Sequence, residues 1–210
     1  PVGEKILAEL KSLDVGYGYT ADGGRSFPLR GKGVGLMPSL GEVVGAFPGR
    51  RLMLQLKRWP DDRPERLVRY LEAHKADFSL LRFFGDDESI AALRRARPDA
   101  NAWGQKEAGK CTALYIALGW SGYLPSACRG KTMLVPLAQS WLLPGWPNRF
   151  AQRMADGHVT LLGIGGADGL KSTGFWRVDT AEDVARLTPG LPAEVWTDHI
   201  EMTGPLLRGQ

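Results

Sequence analysis

Apolar positions along the chain follow two alternating rhythms. From position 52 onward, short apolar runs bounded by breakers alternate with stretches whose apolar residues recur every three or four positions. The clearest run is Leu52-Met-Leu-Gln-Leu-Lys57, introduced by Arg50 and Arg51 and closed by Trp59 and Pro60. Such a run reads as a buried strand, although periodicity alone leaves a buried helix segment open. Strand-like runs begin near Leu52, Phe78, Asp99, Thr132, Val159 and Glu194. Between them the spacing predicts helices. Asp62 is an N-cap candidate, Pro64 sits in the first turn, and Leu67 and Leu71 are in register. Ile90 goes with Leu93, and Cys111, Leu114, Tyr115 and Leu118 share one face, as do Trp146, Phe150 and Met154. Thr180 opens a further helix that Pro189 and Gly190 end. Alternating strand and helix implies parallel strands joined by right-handed crossovers. A doubly wound sheet and a (β/α) barrel both fit, within a single domain over 1–210.

The first quarter of the chain differs. Residues 4–13 put Ile6, Leu7, Leu10 and Leu13 on one face of a short helix. Residues 14–38 carry glycine at 16, 18, 23, 24, 31, 33 and 35, with Pro28 and Pro38. A long irregular segment in a compact domain is usually functional or disordered, and Tyr17, Tyr19 and Phe27 favour a packed loop. Ser39 and Glu42 then form a capping-box signature for the next helix.

Composition narrows the picture modestly. Of 210 residues, 43% are hydrophobic and 24% charged, ordinary globular values. No apolar run reaches the roughly 20 residues of a membrane span. The charged Pro1-Val-Gly-Glu-Lys5 opening does not read as a signal peptide. A start without Met suggests a processed or truncated N-terminus. Net charge is +4, and the one basic cluster, at 94–97, suits a helix C-terminus better than nucleic acid. Cys111 and Cys128 are too few for a disulfide framework, and Cys111 reads as a small core hydrophobe. The compartment, cytoplasmic or periplasmic, stays open, as does the oligomeric state.

Candidate chemistry concentrates at the end of the first strand. Gln55 and Lys57 are two residues apart and so point to the same side. In parallel α/β folds, the carboxyl ends of strands hold the chemistry. Gly163-Ile-Gly165-Gly166-Ala-Asp168 has Asp where a dinucleotide fingerprint needs its third Gly. No Walker loop, HExxH or GxSxG is present.

Several stretches together resemble the glycerophosphodiester phosphodiesterase family. They are Leu13-Asp-Val-Gly-Tyr-Gly-Tyr-Thr-Ala-Asp-Gly-Gly, Pro28-Leu-Arg-Gly-Lys-Gly and Leu36-Met-Pro-Ser-Leu-Gly-Glu-Val-Val44. Leu52-Met-Leu-Gln-Leu-Lys57 looks like that family's third barrel strand, where the usual ending is Glu-x-Lys or Asn-x-Lys. Val178-Asp-Thr-Ala-Glu-Asp-Val-Ala-Arg-Leu187 and Val195-Trp-Thr-Asp-His-Ile-Glu201 look like its last helix and closing strand.

The resemblance implies a TIM-type (β/α)8 barrel, with about six of the eight strands evident in 1–210 and an N-terminally incomplete domain. It implies hydrolysis of glycerophosphodiesters to glycerol 3-phosphate and an alcohol, assisted by a divalent metal, Mg or Ca. Lys57 would contact the substrate phosphate, and Gln55 would offer an uncharged oxygen to the metal. Trp141 and Trp176, in loops facing a barrel mouth, would line the substrate pocket. The family's His-Arg-Gly, Glu-x-Asp and His-Asp motifs are not in this sequence. His74 and His158 match no motif position, and His199 reads as structural on the closing strand. The alternative expectation is a non-catalytic barrel that binds phosphate or a lipid headgroup without the acid/base histidines.

Overall fold

Each strand-like run contains a strand in the computed structural model, which describes residues 4–58, 63–165, 177–188 and 191–208. The strands are β1 (Leu52–Leu56), β2 (Leu81–Gly85), β3 (Asn101–Gly104), β4 (Thr132–Pro136), β5 (Thr160–Ile164) and β6 (Ala193–Val195). The run at 78 begins with a 3-10 turn, Phe78–Leu80, capped by Asp77, which accepts from the Ser79 amide, so β2 starts three residues later. Strands β1, β2 and β3 form one parallel sheet, and β4, β5 and β6 form another, each in chain order.

Alternation along the strands decides what each sheet face covers. Leu52, Leu54 and Leu56 of β1 and Phe83 of β2 pack against helices α3 (Arg63–Ala73) and α4 (Asp87–Ala96) through Val68, Leu71, Ile90 and Leu93. Met133, Val135 and Leu161 of the second sheet pack against α5 (Gln105–Leu118), α6 (Asn148–Asp156) and α7 (Ala181–Ala185). The opposite faces of the two sheets meet each other. Phe84, Trp103 and Leu162 are buried there with Met53, Leu134 and Trp196 around them. Phe84 stacks on Trp103 at 5.3 Å and meets Trp196 edge-on at 4.8 Å.

This arrangement corrects the expected (β/α)8 barrel. Closure requires each strand to pair on both sides, and no hydrogen-bonded ladder joins β3 to β4. The border is occupied by side chains. The Arg94 guanidinium donates to the Ala102 carbonyl of β3, and the Thr112 hydroxyl donates to the Leu134 carbonyl of β4 at 2.8 Å. Buried backbone acceptors must be satisfied, and here two are served from α4 and α5 instead of from a neighbouring strand. A doubly wound single sheet is not formed either, because the ladder is broken in the middle of the strand order.

The remaining differences are local. Helix α5 begins at Gln105, ahead of the 110–118 stripe. The closing strand is short, and His199 lies just before an unforeseen helix, α8 (Ile200–Arg208), not on a strand. Helices α1 (Leu7–Lys11) and α2 (Leu40–Ala46) form as the spacing suggested, with Ser39 and Glu42 closing the capping box. Asp62, the candidate cap of α3, lies outside the described residues.

Two features hold the irregular parts. Asp14 accepts from the amides of Gly16, Gly31 and Gly33 at 2.9, 2.6 and 2.9 Å. The Arg30 guanidinium lies over the Phe27 and Tyr17 rings, at 3.9 and 4.4 Å, so the glycine-rich segment packs on itself. Cys111 is fully buried as expected, but it is bonded to Cys128. The disulfide ties α5, which follows β3, to the turn preceding β4.

Candidate functional site

A cavity of about 310 Å³ opens between the two sheets on the side of β1 and β6. Met53, Phe84, Leu162, Trp196 and Thr197 line it, with Glu194. Two of its wall residues, Phe84 and Leu162, belong to the buried layer that both sheets share. The Glu194 carboxylate receives both of its hydrogen bonds from one guanidinium nitrogen of Arg82, on β2. This ion pair bridges the sheets, with side-chain exposures of 21% and 39%. A charged pair in that setting is screened less than one on the surface.

Gln55 and Lys57 stand at the carboxyl end of β1. Leu56 between them is buried among the helix-facing residues, so Gln55 lies on the same strand face as Met53 of the cavity wall. Gln55 and Lys57 are both exposed, and neither side chain has a hydrogen-bond or ion-pair partner among the described residues. The Lys57 backbone carbonyl is held by the Ser89 hydroxyl at 3.1 Å. Asp86, which caps α4, is held below the usual carboxylate range, chiefly by the Ser89 amide.

The other sequence candidates are placed as follows. Trp141 sits in the 3-10 segment Leu137–Leu142 after β4 and is 74% exposed. Trp146 packs against Phe150 at 5.3 Å beside the second core. Trp176 lies outside the described residues. His74 follows α3 on the amino-terminal side of β2, its Nδ1 donating to the Tyr70 carbonyl at 2.8 Å and its ring tilted against the Tyr70 ring at 4.1 Å. His158 precedes β5. His199 follows β6, exposed, 3.1 Å from Glu201.

Two features escaped the sequence reading. The Arg82–Glu194 pair joins residues 112 apart, which no local pattern reveals. The Gln139 side-chain oxygen, in the segment after β4, is buried with no hydrogen-bond partner among the described residues. A lone amide in a mostly apolar post-strand segment, beside Ser140, was its only signal.

A divalent cation of the Mg²⁺ or Ca²⁺ type needs about six or more oxygen ligands. Among the described residues no group of three or more His, Cys, Asp or Glu side chains comes together to hold one. Gln55 alone does not make such a site, so no chemical step is routed through a metal.

No model of a known protein family matches the chain, and no curated protein matches it. Among the described residues, no helix is long and apolar enough to cross a membrane.

Proposed function

We propose that the protein is a phosphoric diester hydrolase that cleaves glycerophosphodiesters to glycerol 3-phosphate and an alcohol. The observation that carries this reading is the exposed Gln55 and Lys57 pair at the carboxyl end of β1, without side-chain partners among the described residues. An ammonium group without a carboxylate is suited to a phosphate, which supplies the missing charge. The neighbouring cavity, apolar on Met53, Phe84 and Leu162, has room for the rest of a small substrate. The resemblance of the segments around Tyr17, Pro38, Lys57 and Asp198 to that family supports the same reading. A divalent metal belongs to it as the expected cofactor, with Gln55 as one oxygen donor.

The test is release of glycerol 3-phosphate from glycerophosphocholine in the presence of Mg²⁺ or Ca²⁺. Lys57→Ala is expected to lower the rate by about two to three orders of magnitude, as for loss of one electrostatic stabiliser. Undiminished turnover in Lys57→Ala would remove this lysine from the site.

A second reading, binding of a phosphate headgroup without hydrolysis, is favoured by the placement of the histidines. His74 and His158 precede the strands they adjoin, opposite to Lys57, and His199 is engaged with Glu201. It predicts glycerol 3-phosphate binding, weakened in Lys57→Ala, with no turnover of the diester.

A further inference from the structure

The break between β3 and β4 leaves a groove at the amino-terminal ends of these strands, about 350 Å³ in volume. Arg94, Asn101, Arg129, Lys131, Thr132 and Thr160 border it. Its charges do not balance. Arg94 and Lys131 both pair with a single carboxylate, Glu107, the former at 2.8 Å. Arg129 is exposed and has no ion-pair partner among the described residues. Three cations therefore share one anion. Burial would raise the Glu107 carboxyl, but the hydrogen bonds and charges of Arg94 and Lys131 outweigh it and hold the group lowered. Glu107 is thus already ionised at neutral pH and has no further charge to offer.

Hydrogen-bond donors are also left over. The Asn101 amide and the Thr132 and Thr160 hydroxyls make no side-chain hydrogen bond among the described residues, although Thr132 is only 8% exposed. A guanidinium, an ammonium, an amide and two hydroxyls around one groove form the donor set that recognises a tetrahedral oxyanion.

We propose that this groove binds a phosphate group, as the free anion or on a small monoester, at a site separate from the cavity beside Lys57. It lies at the opposite ends of the strands and does not depend on the reading of Gln55 and Lys57. The excess positive charge draws the anion in, and the two threonine hydroxyls and Asn101 orient it.

The test is calorimetric titration with inorganic phosphate and with methyl phosphate, at constant ionic strength, on the wild type and on Lys57→Ala. Both proteins are expected to bind one phosphate in the groove with equal affinity. Arg129→Ala and Asn101→Ala, both at exposed positions, should each weaken that binding by about tenfold, the value of a charged or well-placed hydrogen bond. Thermal melts of these two variants should match the wild type. Methyl phosphate binding as tightly as phosphate would support a monoester ligand, and binding of phosphate alone would support the free anion. No binding, binding unchanged in both groove variants, or binding abolished by Lys57→Ala would overturn the proposal.

Discussion

Glu42 couples two helices through one carboxylate. It accepts from Lys11 of α1 at 2.6 Å and from the Ser39 amide at 2.7 Å, closing the α2 capping box. The Lys11 ammonium first, and then Ser39, pull its pKa from the usual 4.5 down to about 2. A carboxyl depressed in the folded state contributes stability above its unfolded pKa and loses it as pH falls through the folded one. The Glu42→Gln variant should therefore be less stable than wild type at neutral pH, with the difference closing between 4.5 and about 2. Urea midpoints measured across that range check this, and a constant difference would count against it. Arg82 and Glu194 make the second residue-scale case. Glu194→Ala leaves the Arg82 guanidinium half-buried between the sheets without its partner. The expected loss is about 1–3 kcal/mol, the cost of leaving such a donor unsatisfied. Urea denaturation of Glu194→Ala and of the double variant with Arg82→Ala separates that cost from lost attraction.

At the scale of the element, the junction of β2 and α4 carries an unusual constraint. Gly85 ends β2 at φ +145°, and a Cβ there would sit 1.9 Å from the Leu56 carbonyl oxygen. That same oxygen accepts from the Asp86 amide at 3.0 Å, which locks the exit of β1 to the start of α4. Asp86 then caps α4 through the Ser89 amide at 3.1 Å. Gly85→Ala should cost roughly 3 kcal/mol or more, since it combines backbone strain with a clash that breaks the lock. Chemical denaturation gives the magnitude. Hydrogen exchange should show the loss first at β1, and protection of β1 equal to wild type would refute the account. Lys57 is positioned by the same junction, through the Ser89 hydroxyl on its carbonyl, so the variant should also disturb the candidate site.

At the scale of the molecule, the two sheets are held together without a continuous ladder. Among the described residues, the aromatic layer of Phe84, Trp103 and Trp196, the Arg82–Glu194 pair, and helix α5 with its disulfide cross between them. Cys111 and Cys128 enclose a loop of 17 residues in sequence separation. Closing a loop of that length removes unfolded-state entropy equivalent to about 3 kcal/mol. The Cys111→Ala/Cys128→Ala double variant should lose about that much stability. Alkylation of the native protein under non-reducing denaturation should label neither cysteine. Full labelling, or a double variant as stable as wild type, would contradict the bond.

Local pattern accounts for the elements and much of their facing. The strand at 52–56, the capping box of Ser39 and Glu42 and the Thr180 cap all rest on bonds or repeats within a few residues, so local periodicity records them. The facing of Gln55 and Leu56 was legible for the same reason: alternation along a strand puts them on opposite sides, with Leu56 in the helix-facing core. Closure was not legible. At the border where β3 and β4 do not pair, Arg94 and Thr112 donate to the Ala102 and Leu134 carbonyls from neighbouring helices, contacts that no local pattern records. The final strand ends at Val195, and Thr197, Asp198 and His199 separate it from α8, whose Gly204 and Pro205 read locally as helix breakers. The bond between Cys111 and Cys128, the bridge from Arg82 to Glu194 and the uncommitted donors of the groove arise between segments far apart in the chain. Only tertiary structure brings such groups together, because their contacts are set by the packing of whole elements and leave no mark in the pattern of any one of them.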